Sequence, residues 1–109
     1  MLETDYKFNE VHDLAKQIEI SSDRVQVKHI FANGNGGVTL VALKADQKLD
    51  THTAPAEVMI TVIEGEVEFT ILDTPHTLGA GQFILMGADV PHSVNAKADS
   101  KIMLTKVKP

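Results

Sequence analysis

The sequence predicts an all-β fold, an antiparallel sandwich or barrel, with one short helix ahead of it. Three observations carry that prediction. From residue 24 onward apolar residues recur at every second position, in short runs rich in Val, Ile, Thr and Phe. Turn-forming residues, chiefly Gly, Asn, Asp and Pro, interrupt those runs at close and regular intervals. Strands do not alternate with helical segments, as a parallel βαβ arrangement would demand, because only residues 9–19 show helical spacing.

That helix is expected from Asn9, whose side chain suits an N-cap. Val11, Leu14, Ala15 and Ile18 follow at helical spacing and give one apolar face, and Ser21, Ser22 and Asp23 end it. A helix this short has to pack on something. The first strand is expected over 24–32, with Val25, Val27, His29 and Phe31 on one face. Asn33-Gly34-Asn35-Gly36-Gly37 then turns the chain, since these residues tolerate positive φ. A return strand covers 38–43 and a polar connection 44–50. Strands follow at 57–63 and 67–72, joined by Glu64-Gly65-Glu66, and at 76–78 and 82–86, joined by Gly79-Ala80-Gly81. The last two are expected at 92–96 and 102–107.

A chain of 109 residues suits one globular domain. We divide it into an N-terminal segment, 1–22, and a β-barrel, 23–109. Hydrophobic residues make up 43% of the sequence, which excludes a disordered chain. The absence of cysteine excludes disulfides, thiolate metal sites and cysteine nucleophiles. A net charge of −5 with scattered lysines argues against a nucleic-acid partner. Lys101, Lys106 and Lys108 make the final strand mildly basic, as expected of a solvated edge strand protected from aggregation. The N-terminal residues lack the basic start and apolar run of a signal peptide, and no stretch is long enough to span a membrane. A cytoplasmic location is the expectation.

Five histidines are the candidates for chemistry. His12 is expected on the wet side of the helix, His29 as a hydrogen-bonded core or pocket residue, and His76 at the surface. His52 and His92 differ, because each stands at a loop–strand junction, where a rigid barrel presents its functional groups.

Two stretches resemble the paired motifs of the cupin family. HTAPAEVMITVIEGEVEF, from His52 to Phe69, is similar to the first motif, a His-x-His pair followed by a glutamate and then a glycine. GQFILMGADVPHSVN, from Gly81 to Asn95, is similar to the second, which ends on a histidine and an asparagine. The resemblance implies a double-stranded β-helix, the jelly-roll barrel, and a divalent metal held by three histidines and a carboxylate. His52 and His92 take two of the histidine positions. Ala54 stands at the third, and Val58 at that of the glutamate.

Two imidazoles fall short of the three or four protein ligands a divalent transition metal takes. Glu57 adjoins Val58, but neighbours on a strand face opposite ways; a bulge could turn it inward. His29 or His76 could complete a site from another strand. We therefore expect no cofactor beyond a weakly bound divalent metal. The leading reading is a small-molecule-binding cupin whose pocket is lined by His52, Ala54, Val58, Ile60 and His92. The alternative is an enzyme: either metal-dependent, of oxygenase or isomerase type, through His52, His92 and a further ligand, or metal-free with His52 or His92 as general base. A module that binds a partner through its sheet surface is a third reading. The strand at 38–43 is apolar at nearly every position, as if covered on both faces, and this predicts a homodimer.

Overall fold

The computed structural model describes all residues, Met1–Pro109, as nine strands in two antiparallel sheets preceded by one 3₁₀ turn. The strands are β1 (Gln26–Asn33), β2 (Gly36–Leu43), β3 (Lys48–His52), β4 (Glu57–Glu64), β5 (Glu66–Ile71), β6 (Thr74–Gly79), β7 (Phe83–Met86), β8 (His92–Ala96) and β9 (Ser100–Val107). One sheet has the order β1-β2-β9-β4-β7, the other β3-β8-β5-β6. This is the two-sheet jelly-roll barrel expected. No helix is long and apolar enough to cross a membrane.

The core follows from strand alternation. Val58, Ile60 and Val62 on β4, Val67 and Phe69 on β5, and Val94 and Ala96 on β8 point between the sheets, where they meet Val41, Leu43 and Ile102. Gly65 closes the β4–β5 hairpin with φ +90°, and a Cβ there would lie 2.3 Å from both the Asp99 carbonyl and Ser100 Oγ. Ser100 Oγ, fully buried, accepts from the Glu66 N–H at 3.0 Å and donates to the Ala98 carbonyl at 2.7 Å. The turn thus has room for glycine alone.

Three expectations are corrected. The helix over 9–19 is absent; only Leu14–Gln17 form a 3₁₀ turn. Asn9 adopts φ +66° rather than capping, Asp13 is extended, and Val11 is 98% exposed. Of the four apolar residues only Ile18 is buried, and a segment this short does not hold a helix without packing along its whole apolar face. The segment instead runs across the outside of the larger sheet. There Ile18 and Ile20 pack on Leu40 and Ala42, and the Lys101 ammonium donates to the Ala15 carbonyl at 2.6 Å.

The final strand is not an edge. β9 pairs along its length with β2 on one side and with β4 on the other. Residues 44–50 are not all connection, since Lys48 begins β3. That strand shows only Leu49 partly buried, so its sequence lacks the apolar alternation that marks the others.

Candidate functional site

On β8 simple alternation buries His92, Val94 and Ala96 while Ser93 and Asn95 face away. His92 is only 6% exposed. Its ring stacks on Phe69 of β5, with centroids 5.6 Å apart and planes 13° from parallel. Its Nδ1 lies 2.8 Å from the Val90 carbonyl oxygen. A carbonyl can only accept, so Nδ1 carries the proton and Nε2 is the bare nitrogen of the neutral ring.

β3 delivers His52 differently. Leu49 faces Val94, and His52 faces His92, but Asp50 and Thr51 on β3 oppose the single Ser93 on β8. This is a bulge of one residue. Strict alternation from Leu49 would have turned Thr51 inward and His52 out. The extra residue reverses the parity and brings the imidazoles together, with ring centroids 4.1 Å apart and planes tilted by 59°. His52 Nδ1 likewise bonds a carbonyl two residues back, that of Asp50, at 2.8 Å. Neither Nε2 takes a hydrogen bond from the protein.

Both imidazoles border a cavity of about 260 Å³ between the sheets. Ala54, Val58 and Ile60 line it as well, so all five residues singled out in the sequence converge there. Strand register sorts its walls into layers. At the rim stand His52 and His92 on one sheet, with the cross-strand pair Val58 and Lys106 on the other. One step deeper come Val94 and Phe69 facing Ile60 and Leu104, and Ile102 lies at the floor.

Phe69, Leu104 and Lys106 were not anticipated from the sequence. The signal for Lys106 is the alternation Ile102, Leu104, Lys106, which places a cation at an inward-facing position. Lys106 is half-buried and takes part in none of the four ion pairs, which use Lys16, Lys44, Lys97 and Lys101. Burial lowers the pKa of His92 below the usual 6.5, opposed by the bond to the Val90 carbonyl and assisted by the nearby charges of His52 and Lys106.

The remaining candidates lie elsewhere. Glu57 is exposed, because the only irregularity in the β4–β9 register falls beyond Val62 and leaves the start of β4 in strict alternation. His29 is not a core residue. It stands exposed on the edge strand β1 and bonds Thr39 Oγ1 at 3.0 Å, and a bulge after it breaks the predicted apolar face. His76 is half-buried on β6 outside the cavity, and His12, with no helix around it, meets the Tyr6 ring edge-on at 5.0 Å.

A two-sheet jelly roll with paired imidazoles at one mouth defines a class of small barrel proteins. The cupin domain model matches residues 39–107, and the chain belongs to the cupin family. Among solved structures it is similar to a conserved protein of unknown function from Streptococcus pyogenes, at 27% identity and a TM-score of 0.89 over 97% of this chain and 93% of that one. It is also similar to an RmlC-like cupin from Desulfovibrio desulfuricans, at 26% identity and a TM-score of 0.80, covering 90% of this chain and 95% of that one. A cupin 2 conserved barrel domain protein from Leptotrichia buccalis matches at 28% identity and a TM-score of 0.85, over 89% of this chain and 47% of that one. No curated protein matches.

The residues do not fit the metal site the resemblance implies. No group of three or more His, Cys, Asp or Glu side chains is placed to hold a metal ion. The methyl of Ala54 and the isopropyl of Val58 replace two donors, and Val58 sits across from Lys106, whose charge repels a cation. The pair His52–His92 is what remains of the ligand set.

Proposed function

We propose that this cupin binds a small molecule in the cavity under His52 and His92. The observation that carries the reading is the imidazole pair, 4.1 Å apart, at the rim of a chamber whose floor and most of whose walls are apolar. Convergent polar groups over apolar walls are the usual form of a small-ligand site. Ala54, Val58 and Ile60 supply walls, and the two Nε2 atoms orient the polar end. At liquid density the cavity holds on the order of ten non-hydrogen atoms. Fluorinated fragments of that size, screened by fluorine NMR, should include binders that shift the His92 ring signals and that His92→Ala no longer retains. If none perturbs a cavity residue, the reading fails.

A second reading rests on the Nδ1 bonds. They leave both Nε2 atoms, on adjacent strands, free of hydrogen bonds to the protein, an orientation that suits metal ligation. A divalent metal held weakly by His52 and His92, with solvent completing its shell, would make the protein a metal-dependent enzyme. Elemental analysis of untagged protein should find well under one equivalent of transition metal, and Ala54→His with Val58→Glu should raise metal affinity. Stoichiometric metal that survives dialysis would favour the enzyme.

We also propose a homodimer. The N-terminal segment covers the outer face of β2, so the apolar pattern of that strand is satisfied within one chain. That cover reaches Met103 on β9 and Ile63 on β4 but leaves Phe83 (59%) and Leu85 (68%) on the edge strand β7 and Val107 (54%) at the end of β9 exposed. A second copy packed there would bury them. Light scattering should give about twice the 11.9 kDa chain mass. A monomer at micromolar concentration overturns this.

A further inference from the structure

The walls of the cavity carry a charge asymmetry. The protein as a whole is acidic, with 15 Asp and Glu against 10 Lys and Arg. Yet none of the 14 residues lining the cavity is acidic, and one, Lys106, is cationic. Lys106 stands at the rim beside Val58, half-buried and without a carboxylate partner. The same position that repels a metal ion attracts an anion. His92, whose burial favours the neutral ring, presents a bare Nε2, because its Nδ1 proton is committed to the Val90 carbonyl. A bare nitrogen accepts a hydrogen bond, so the ligand must bring a donor as well as a negative charge. Below the rim every group is apolar, through Ile60, Phe69, Val94, Leu104 and Ile102.

We infer that the ligand is a small hydroxy acid: a carboxylate held by Lys106, a hydroxyl donating to a histidine Nε2, and an apolar body on the floor. This rests on the reading of the cavity as a small-molecule site and names its ligand class. A charge-assisted bond from an ammonium in a partly desolvated rim outweighs a neutral one. Discrimination therefore comes from the charge first and the hydroxyl second. The bare Nε2 accepts from an amide N–H as readily as from a hydroxyl, so the preference for an acid over its amide rests on Lys106 alone.

The test uses three soluble probes: mandelate, its neutral counterpart mandelamide, and phenylacetate, which lacks the hydroxyl. Binding is read by NMR shifts of cavity residues and by calorimetry on the native chain, Lys106→Gln and Lys106→Arg, with a thermal melt confirming that each variant is folded. Mandelate should bind the native protein at least about tenfold more tightly than mandelamide, the scale of one charged hydrogen bond. That preference should vanish in Lys106→Gln and persist in Lys106→Arg. Phenylacetate should bind more weakly than mandelate. If mandelate and mandelamide bind alike, and Lys106→Gln changes neither, the anion assignment is overturned while the cavity remains a binding site. If phenylacetate matches mandelate, the hydroxyl assignment is overturned. If no probe shifts a cavity residue, the small-molecule reading fails and this inference with it.

Discussion

β8 and β3 lie side by side and each brings one imidazole to the same rim, by opposite means. On β8, His92 continues the inward row of Val94 and Ala96, rests on Phe69 and is nearly inaccessible to solvent. On β3 the flanking residues are exposed, only Leu49 reaches inward, and a bulge swings His52 into place. The histidine on β8 is part of the folded core. The one on β3 is an addition at the rim, held by its backbone bond and by its neighbour. Two equivalent-looking positions in a motif can thus divide stability and binding between them.

The sharpest way to break this contrast is to remove what His92 rests on. Phe69→Ala should destabilise the fold by about 3 to 5 kcal/mol, the range for deleting a buried aromatic ring. Urea titration measures it, and a loss no larger than for a surface change would mean that β8 is not seated as described. His92→Ala should cost about 2 kcal/mol, or a drop of roughly 10 °C in Tm. His52→Ala, by contrast, should stay within about 0.5 kcal/mol of the native protein. Equal melting shifts for the two histidine variants would erase the distinction between core and rim.

A smaller effect comes from pH. Burial holds the pKa of His92 below its ordinary value of 6.5 in the folded state, so the unfolded chain binds that proton more readily. The stability His92 provides as a neutral ring is therefore fully present above 6.5 and declines as the pH falls below that value toward the folded-state pKa. His92→Gln should flatten this part of the stability–pH curve relative to the native chain, while His52→Gln leaves it largely in place. The smallest expected change in stability follows from deleting Thr51. Removing the extra residue of the bulge restores strict alternation with Leu49 and His52 both still facing inward, opposite Val94 and His92. Stability should move by no more than about 0.5 kcal/mol, and the ring-current shift that His52 imposes on the His92 ring protons should persist; its loss would mean that the bulge itself seats the His52 ring.

Much of the barrel could be read because its strands obey one rule. β4, β5 and β8 bury every second residue, so the inward positions of Val58 and Ile60 follow from counting along β4. The pairing of His52 with His92 was legible only through the family resemblance, since the bulge that creates it leaves no apolar pattern on β3. The N-terminal helix was misread because Val11, Leu14, Ala15 and Ile18 have helical spacing, whereas Ile18 and Ile20 serve a sheet face whose position no local pattern reveals. Lys106 was misread for a related reason. A basic residue near the end of the chain resembles a protected edge until the pairing of β9 is known, and pairing between distant segments is not a local property.

β9 is the ninth strand to be synthesised and the middle strand of its sheet, bonded to β2 and β4 at once. A ribosome makes the chain in order, so β2 and β4 emerge with the space between them still empty. Their inward residues and unpaired backbone groups stay open to other chains until Ser100–Val107 arrive. Closing that gap joins segments far apart in the chain, the kind of contact that makes folding slow. The larger sheet must therefore form late and nearly all at once, and a nascent chain halted before residue 100 should be protease-sensitive and chaperone-bound rather than a partly finished barrel.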